Sequence, residues 1–217
     1  MGYLSQEKIL FLGPKDSPLI SWLKYHGEEE VIQTDDKISI QFVNENKFTF
    51  LVCYGYRYIL PKEILDKFLS KAINLHISYL PWNRGADPNF WSFAEDTPKG
   101  VTIHYLDEGE DTGDIIVQKE VSFDSEKDTF TTSYRKLSVA IQDLFKKNWC
   151  NIKEGTCHRQ KQAGKGSTHK LEDKKRISHL LTNEWDTPVS ALDEYVAEIQ
   201  ISKQFWHIYD SEIKEQK

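Results

Sequence analysis

The sequence predicts an α/β protein built on a mostly parallel sheet with helices on both faces, followed by a short C-terminal appendage. Three observations carry that expectation. Short apolar runs alternate with segments whose apolar residues recur at helical spacing. The runs are apolar almost throughout, as strands buried on both faces are. Gly13, Tyr54-Gly55 and His76 fall at or just beyond the ends of such runs, where ligands of such sheets collect.

Residues 9–12 form an apolar run closed by Gly13, the pattern of a buried first strand. Ser17-Pro18 caps and opens a helix to about Tyr25, with Gly27 ending it. Residues 31–34 make a second strand, and 48–53 a central one that empties into Tyr54-Gly55-Tyr56-Arg57. Helical spacing returns over 61–69, with Lys and Glu between the apolar positions. A strand follows at 72–77, a short helix at 87–94, and two strands at 100–106 and 115–121 that pair naturally. The longest helix spans 129–149.

After Trp149 the texture changes. Gly155, Gly164 and Gly166 sit among Lys, Gln and His, which predicts an extended, mobile loop over 155–170. Short helices are expected at 175–182 and 190–201, separated by Asn183-Glu184-Trp185-Asp186-Thr187-Pro188. Residues 1–150 are therefore expected as the main domain. Residues 151–217 are too few to bury a core of their own and should pack on that domain or on a second subunit.

The bulk composition excludes several classes. The 217 residues carry a net charge of −6, which argues against a nucleic-acid partner. The basic stretch 158–176 reads as a solvated loop. Cys53, Cys150 and Cys157 show neither disulfide-framework nor zinc-site spacing, which suits a reducing cytosol. The first eight residues are too polar and short for a signal peptide, and no apolar run approaches the ~20 residues that span a bilayer. The expected location is the cytoplasm, with no membrane partner.

The chemistry concentrates between Asn74 and Asp111. Asn74 and His76 lie two apart in an apolar run, so on a strand they project from one face. Asp111 follows the next strand pair's first member in an acidic, Gly-punctuated loop. An amide donor, a titratable ring and a carboxylate suit acyl transfer, in which an oxyanion is stabilised and a proton moved. Ser78 lacks a Gly-x-Ser-x-Gly surround and reads as a helper of the turn. His104, inside a strand pattern, reads as a packed core residue, and Trp185 as either tail packing or a base-stacking surface.

Asn74-Leu75-His76, Ser78-Tyr79-Leu80-Pro81, Gly85 and Asp111-Thr112-Gly113 together resemble the formyltransferases that use 10-formyltetrahydrofolate. The likeness extends over "GVTIHYLDEGEDTGDII" at 100–116 and "YGYRYILPKEIL" at 54–65. It implies a Rossmann-like formyltransferase fold, with Asn74, His76 and Asp111 catalytic and no metal needed. It implies that an uncharged amine attacks the formyl carbon directly, without a covalent enzyme intermediate, and that Asn74 and His76 supply oxyanion donors. Asp111 would orient His76 or take the amine's proton. The folate would lie against Tyr56, Arg57, Tyr58, Ile59 and Leu60, and against the 108–114 loop with Glu108 and Asp114.

Within that family, "LPWNRGADPNFWSF" at 80–93 is most similar to enzymes that formylate an amino sugar carried on a nucleotide. Ser78, Trp82, Asn83 and Arg84 are the substrate-binding candidates, with Lys165 and His169 as weaker ones. The acceptor expected from this is dTDP-linked 4-amino-4,6-dideoxyglucose, in synthesis of surface polysaccharide such as the O-antigen of lipopolysaccharide. Gly13-Pro14-Lys15-Asp16-Ser17 departs from the Gly-Ser-Asn loop of glycinamide ribonucleotide enzymes. The lack of a further C-terminal domain disfavours an initiator-tRNA acceptor. A formyltetrahydrofolate hydrolase and a non-catalytic folate-binding module are the remaining alternatives. Many relatives form homodimers, though no long heptad pattern here supports one.

Overall fold

Every position from Ile9 to Leu12 is apolar, so this strand needs cover on both sides. A computed structural model, which describes residues 7–28 and 30–200, shows how that cover is supplied. In β1 (Lys8–Leu12), Ile9 and Phe11 point to one face and Leu10 and Leu12 to the other, all fully buried. The chain continues through α1 (Pro18–Tyr25), β2 (Glu30–Thr34), α2 (Ile40–Asn46), β3 (Phe50–Cys53), α3 (Lys62–Phe68) and β4 (Ala72–His76). Then come β5 (Arg84–Gly85), α4 (Pro88–Ala94), β6 (Gly100–Tyr105), β7 (Ile115–Glu120), α5 (Phe130–Glu154), β8 (Thr168–His169) and β9 (Thr182–Trp185).

Six strands form one sheet in the order β2-β1-β3-β4-β6-β7. The four from β2 to β4 are parallel, β6 runs against β4, and β7 runs against β6. The sheet is thus mixed, with a single reversed strand. A core of Phe11, Leu23, Phe50, Ile73, Ile103, Ile141 and Phe145 packs one face under α1 and α5. Leu10, Leu51, Val43, Ile64 and Phe68 pack the other under α2 and α3. The buried Glu28 carboxylate ties the two ends of the first layer together, accepting from Trp149 Nε1 at 3.3 Å and pairing with Lys153.

Four helical segments differ from their expected extents. Helix α2 has no counterpart in the sequence reading, because its seven residues bury only Val43 fully; its start is set by Ser39, whose side chain accepts from Phe42 N–H. Helix α5 continues past Trp149 to Glu154 and ends on Gly155 at φ 67°, so the expected boundary at 150 falls inside it. The helices expected at 175–182 and 190–201 are short 3₁₀ turns at Asp173–Arg176, Ser178–Leu180 and Val189–Leu192, with residues 193–200 helical; residue 201 lies outside the described residues. Most of the N-terminal stretch weighed as a signal peptide lies outside them too.

Ile177, Val189 and Leu192 pack with Phe90, Trp91 and Ala94 of α4 and with Phe130 at the start of α5. The appendage therefore shares a small core with the main body. No helix among the described residues is long and apolar enough to cross a membrane.

Thr129 caps α5 in a reciprocal box: its side chain accepts from Thr132 N–H at 3.2 Å, and Thr132 Oγ1 accepts from Thr129 N–H at 2.8 Å. Thr129→Ala should lower unfolding stability by about 1 kcal/mol in urea titrations. An unchanged midpoint would show that packing of α4 and the appendage alone fixes that helix start.

Candidate active site

Residues Asn74 and His76 leave β4 on the face opposite Ile73 and Leu75, the face that α2 and α3 cover further along the sheet. The space beside β4 and β6 on this side is lined largely by loops, with Pro88 of α4 and Tyr134 of α5 at its margin. Cross-strand register sets His104 of β6 directly opposite Asn74, so the two share a face. A register shift against β7 lies between Ile103 and His104, and such bulges re-aim side chains.

Asp111 enters this space from the loop between β6 and β7. Its backbone is left-handed, at φ 53°, a conformation that costs of order 1 kcal/mol or more for a residue other than glycine. Its carboxylate is met from four directions. Oδ1 accepts from Asn74 Nδ2 at 2.9 Å and lies 3.3 Å from His104 Nε2. Oδ2 accepts from the Gly85 amide at 2.8 Å and lies 3.5 Å from His76 Nδ1. Burial alone would raise the acid's pKa, but His76, His104 and the Gly85 amide outweigh it and hold Asp111 well below the usual carboxylate range.

Each ring commits one nitrogen to a carbonyl: His76 Nε2 lies 3.0 Å from Asn83 O, and His104 Nδ1 2.8 Å from Tyr105 O. A carbonyl only accepts, so each of those nitrogens carries a proton. The other nitrogen of each ring faces Asp111 and donates to it only when the ring carries both protons.

The loops that hold this cluster are built from the side chains expected to touch substrate. Ser78 Oγ donates to Trp82 O at 2.7 Å, and buried Asn83 bonds Thr97 Oγ1 at 2.7 Å and Ser167 Oγ at 3.2 Å. Arg84 bonds Gln162 Oε1 through Nε and Nη2 at 2.9 and 2.7 Å, while Gln162 Nε2 donates to the carbonyls of Asp111 and Gly113 at 2.7 and 2.9 Å. Of the expected substrate-binding residues, Ser78, Asn83 and Arg84 thus have polar partners within the protein, and Trp82 lines neither cavity at the site. The segment expected as an extended loop at 155–170 is extended, and it is bonded to its neighbours. It is a strap, joined to β7 through Ile115–Gln160 and to β5 through β8.

His169, a weaker candidate, stacks on Trp91 with ring centres 3.9 Å apart, and Lys165 offers its carbonyl to Arg84. Gly85 has φ +82°, and a Cβ there would stand 2.4 Å from His169 O. Only glycine lets β5 pair with β8 while its amide reaches Asp111.

A cavity of about 290 Å³ opens above the cluster. Tyr56, Arg57, Tyr58, Ile59 and Leu60 line it, with Asn74, His76 and Asp111 at its base. From the acidic loop, Asp107, Gly109 and Glu110 line it, whereas Glu108 turns to Lys62 (3.7 Å) and Asp114 to Arg159 (3.3 Å). Of the residues expected against the folate, these two do not line the cavity. Cys53 also borders the cavity; burial, with the Asp111 charge, pushes its thiol up, so it supplies no thiolate nucleophile.

A larger cavity of about 700 Å³ adjoins the first, sharing Gly55, Tyr56, Arg57, Ile77, Pro88 and Tyr134. The sequence reading missed His104, Gln162 and most of this second wall. His104 stands two residues after Thr102 on a strand, but its place opposite Asn74 depends on strand register.

Comparison with known proteins assigns the architecture. A family model described as formyl transferase matches residues 24–146. The chain belongs to the formyl transferase family. The crystal structure of the formyltransferase PseJ from Anoxybacillus kamchatkensis, solved with UDP-4,6-dideoxy-4-formamido-L-AltNAc and tetrahydrofolate, is 50% identical with a TM-score of 0.80. That similarity covers 85% of this chain and 96% of PseJ. A 4-N formyltransferase from Francisella tularensis is 26% identical with a TM-score of 0.60, over 77% of this chain and 66% of that one. The methionyl-tRNA formyltransferase of Fusobacterium nucleatum is 35% identical over 157 residues, 72% of this chain. This formyl transferase chain spans about half the length of that relative, 49%.

The depressed Asp111 pKa fixes a pH dependence. A carboxylate held low in the folded state adds stability that is fully present above its unfolded pKa of about 3.9 and is lost as pH falls through the folded value. Wild type should therefore exceed Asp111→Asn in unfolding free energy at pH 7 and lose that lead progressively below about pH 4. A gap at pH 3 as wide as at pH 7 would show that the carboxylate is not held as an ion.

Proposed function

We propose that the protein transfers the formyl group of 10-formyltetrahydrofolate to the amine of a 4-amino-4,6-dideoxy sugar carried on a nucleoside diphosphate. The observation that carries this reading is the Asn74–His76–Asp111 cluster at the base of a cavity walled by residues 56–60. The uridine-linked sugar is the form proposed, since the product bound in PseJ, half identical to this chain, is a UDP-4-formamido sugar. The dTDP-linked glucose derivative is the second member of the acceptor panel.

Donor binding fits the smaller cavity. Tyr56 has its hydroxyl fixed to Asp36 O at 2.9 Å, which holds its ring, and Ile59 and Leu60 add apolar wall. Backbone groups of the 106–111 loop face them across the cavity. Asn74 has two amide protons and gives one to Asp111; the other, with His104 Nε2 at 3.3 Å as its present neighbour, is the one that would turn to the formyl oxygen as charge develops there. His76, with Nε2 on Asn83 O at 3.0 Å and Nδ1 3.5 Å from Asp111, is held beside Asn74 on the same strand face.

Of the two roles open to Asp111, the geometry favours anchoring. Both oxygens already meet donors, and a carboxylate held this low is a weak base. Its charge orients Asn74 and faces the ring nitrogens His76 Nδ1 and His104 Nε2 at 3.5 and 3.3 Å. The uncharged amine attacks the formyl carbon, and the proton its nitrogen then sheds leaves through solvent in the cavity as the bond to folate N10 breaks and N10 takes up a proton.

Incubation with 10-formyltetrahydrofolate and each amino sugar, followed by mass detection of the formamide, tests the reading. Asn74→Ala should lower kcat/KM by about 10²- to 10³-fold, the usual loss for one oxyanion donor. The curated relatives make methionyl-tRNA the competing acceptor. Formylation of the charged tRNA and of neither sugar would replace the proposal, and formate release without any amide would point to a hydrolase.

A further inference from the structure

The geometry points to the 700 Å³ cavity as the seat of the acceptor's nucleoside diphosphate, with Trp185 stacking on the base and Arg135 and Arg57 holding the phosphates. The inference rests on the acceptor class proposed above and assigns it residues. A cavity of that size falls in the range that encloses a small-molecule ligand. It is walled by Phe90 and Phe130 and opens onto the catalytic cluster through Tyr134 and Ile77, which both cavities share. A ligand seated here has one end at the outer wall and the other beside Asn74 and His76.

The outer wall is Trp185. Its backbone carbonyl accepts from Thr131 Oγ1 at 3.0 Å, which pins it to the first turn of α5. Lys174 Nζ sits 4.4 Å from the ring centre and is itself held by Asp87 at 2.7 Å. The ring so held stays partly open to solvent: Trp185 is 42% exposed and borders the cavity. A flat, fixed indole beside an apolar cavity is a platform for a planar base.

Charge supports the same occupant. The chain carries a net −6, yet Arg57 and Arg135 at this cavity pair with no carboxylate among the described residues. Two unpaired guanidiniums, each able to bond two oxygens, match a diphosphate. Arg57 borders both cavities, which places it where the phosphates pass toward the sugar.

Calorimetric titration of the whole protein with UDP, and separately with dTDP and tetrahydrofolate, tests this. UDP should bind wild type, and Trp185→Ala or Arg135→Ala should weaken it about tenfold or more. Trp185→Phe should restore most of the loss from Trp185→Ala, and tetrahydrofolate affinity should stay within about twofold throughout. Because Arg135 is exposed on α5, its variant keeps the test open where Trp185→Ala fails to fold. Unchanged UDP binding in Arg135→Ala and Trp185→Phe,Ala alike would place the nucleotide elsewhere and overturn the inference while leaving formyl transfer intact. Wild type that binds tetrahydrofolate but neither nucleotide would overturn both the inference and the nucleotide-sugar acceptor, and wild type that binds none of the three would overturn the transferase reading itself.

Discussion

A single buried carboxylate sets the terms for everything around it. Taking an ion out of water costs several kcal/mol even after the protein relaxes, and Asp111 also holds a left-handed backbone. Charge-assisted hydrogen bonds return about 1.5–3 kcal/mol each, so the loop closes only if several donors converge. They come from three separate parts of the chain: Asn74 on β4, His104 on β6 and the amide of Gly85 on β5. Strand register, the glycine and the strap through Gln162 all serve that convergence. The carboxylate thus works as a structural keystone and as the source of the site's polarity.

Where the cluster lies follows from how the sheet is covered. On one face α1 and α5 make an uninterrupted apolar layer, and on the other α2 and α3 stop at β3 and the start of β4. The reversed strand β6 extends the sheet beyond their reach. The uncovered face there is closed by polar loops, and polar side chains at 74, 76, 102 and 104 meet them. Thr102 is an example: its hydroxyl donates to Ser78 O at 2.7 Å and accepts from Leu80 N–H at 3.1 Å, tying the turn after β4 to the sheet. An apolar residue at that position would leave those groups unpaired in the interior.

The legibility of these features in the sequence tracks how local they are. β1, β3, β4 and the long helix were readable because burial on both faces, or on one helical stripe, writes a pattern into consecutive residues. Asn74 and His76 were readable for the same reason, two polar residues at strand spacing. The antiparallel register that sets His104 opposite Asn74 joins positions 30 apart, and no local pattern records it. Arg84 shows the opposite failure. Its side chain suits a phosphate, but Gln162, 78 residues on, supplies the acceptor it uses. The partners of the strap were not legible because Gly, Lys and Gln compose loosely and tightly bonded loops alike. What distinguishes this one is that its glutamine and serine side chains find partners in the loops at 83–84 and 111–113.

That strap changes the standing of the C-terminal appendage. By composition it was a small add-on seeking a surface to cover. In the fold it contributes Gln162 to the backbone of the Asp111 loop, Ser167 to Asn83, and His169 to the pairing of β5. Further on it sets Ile177, Val189 and Leu192 against α4 and α5, and Trp185 at the rim of the second cavity. Each contact reaches a part of the site that the first 154 residues leave unsatisfied: loop carbonyls without donors and an apolar cavity without an outer wall. The appendage is therefore part of the site's construction: Gln162 holds the backbone of the Asp111 loop, and β8 seats the glycine whose amide meets the carboxylate.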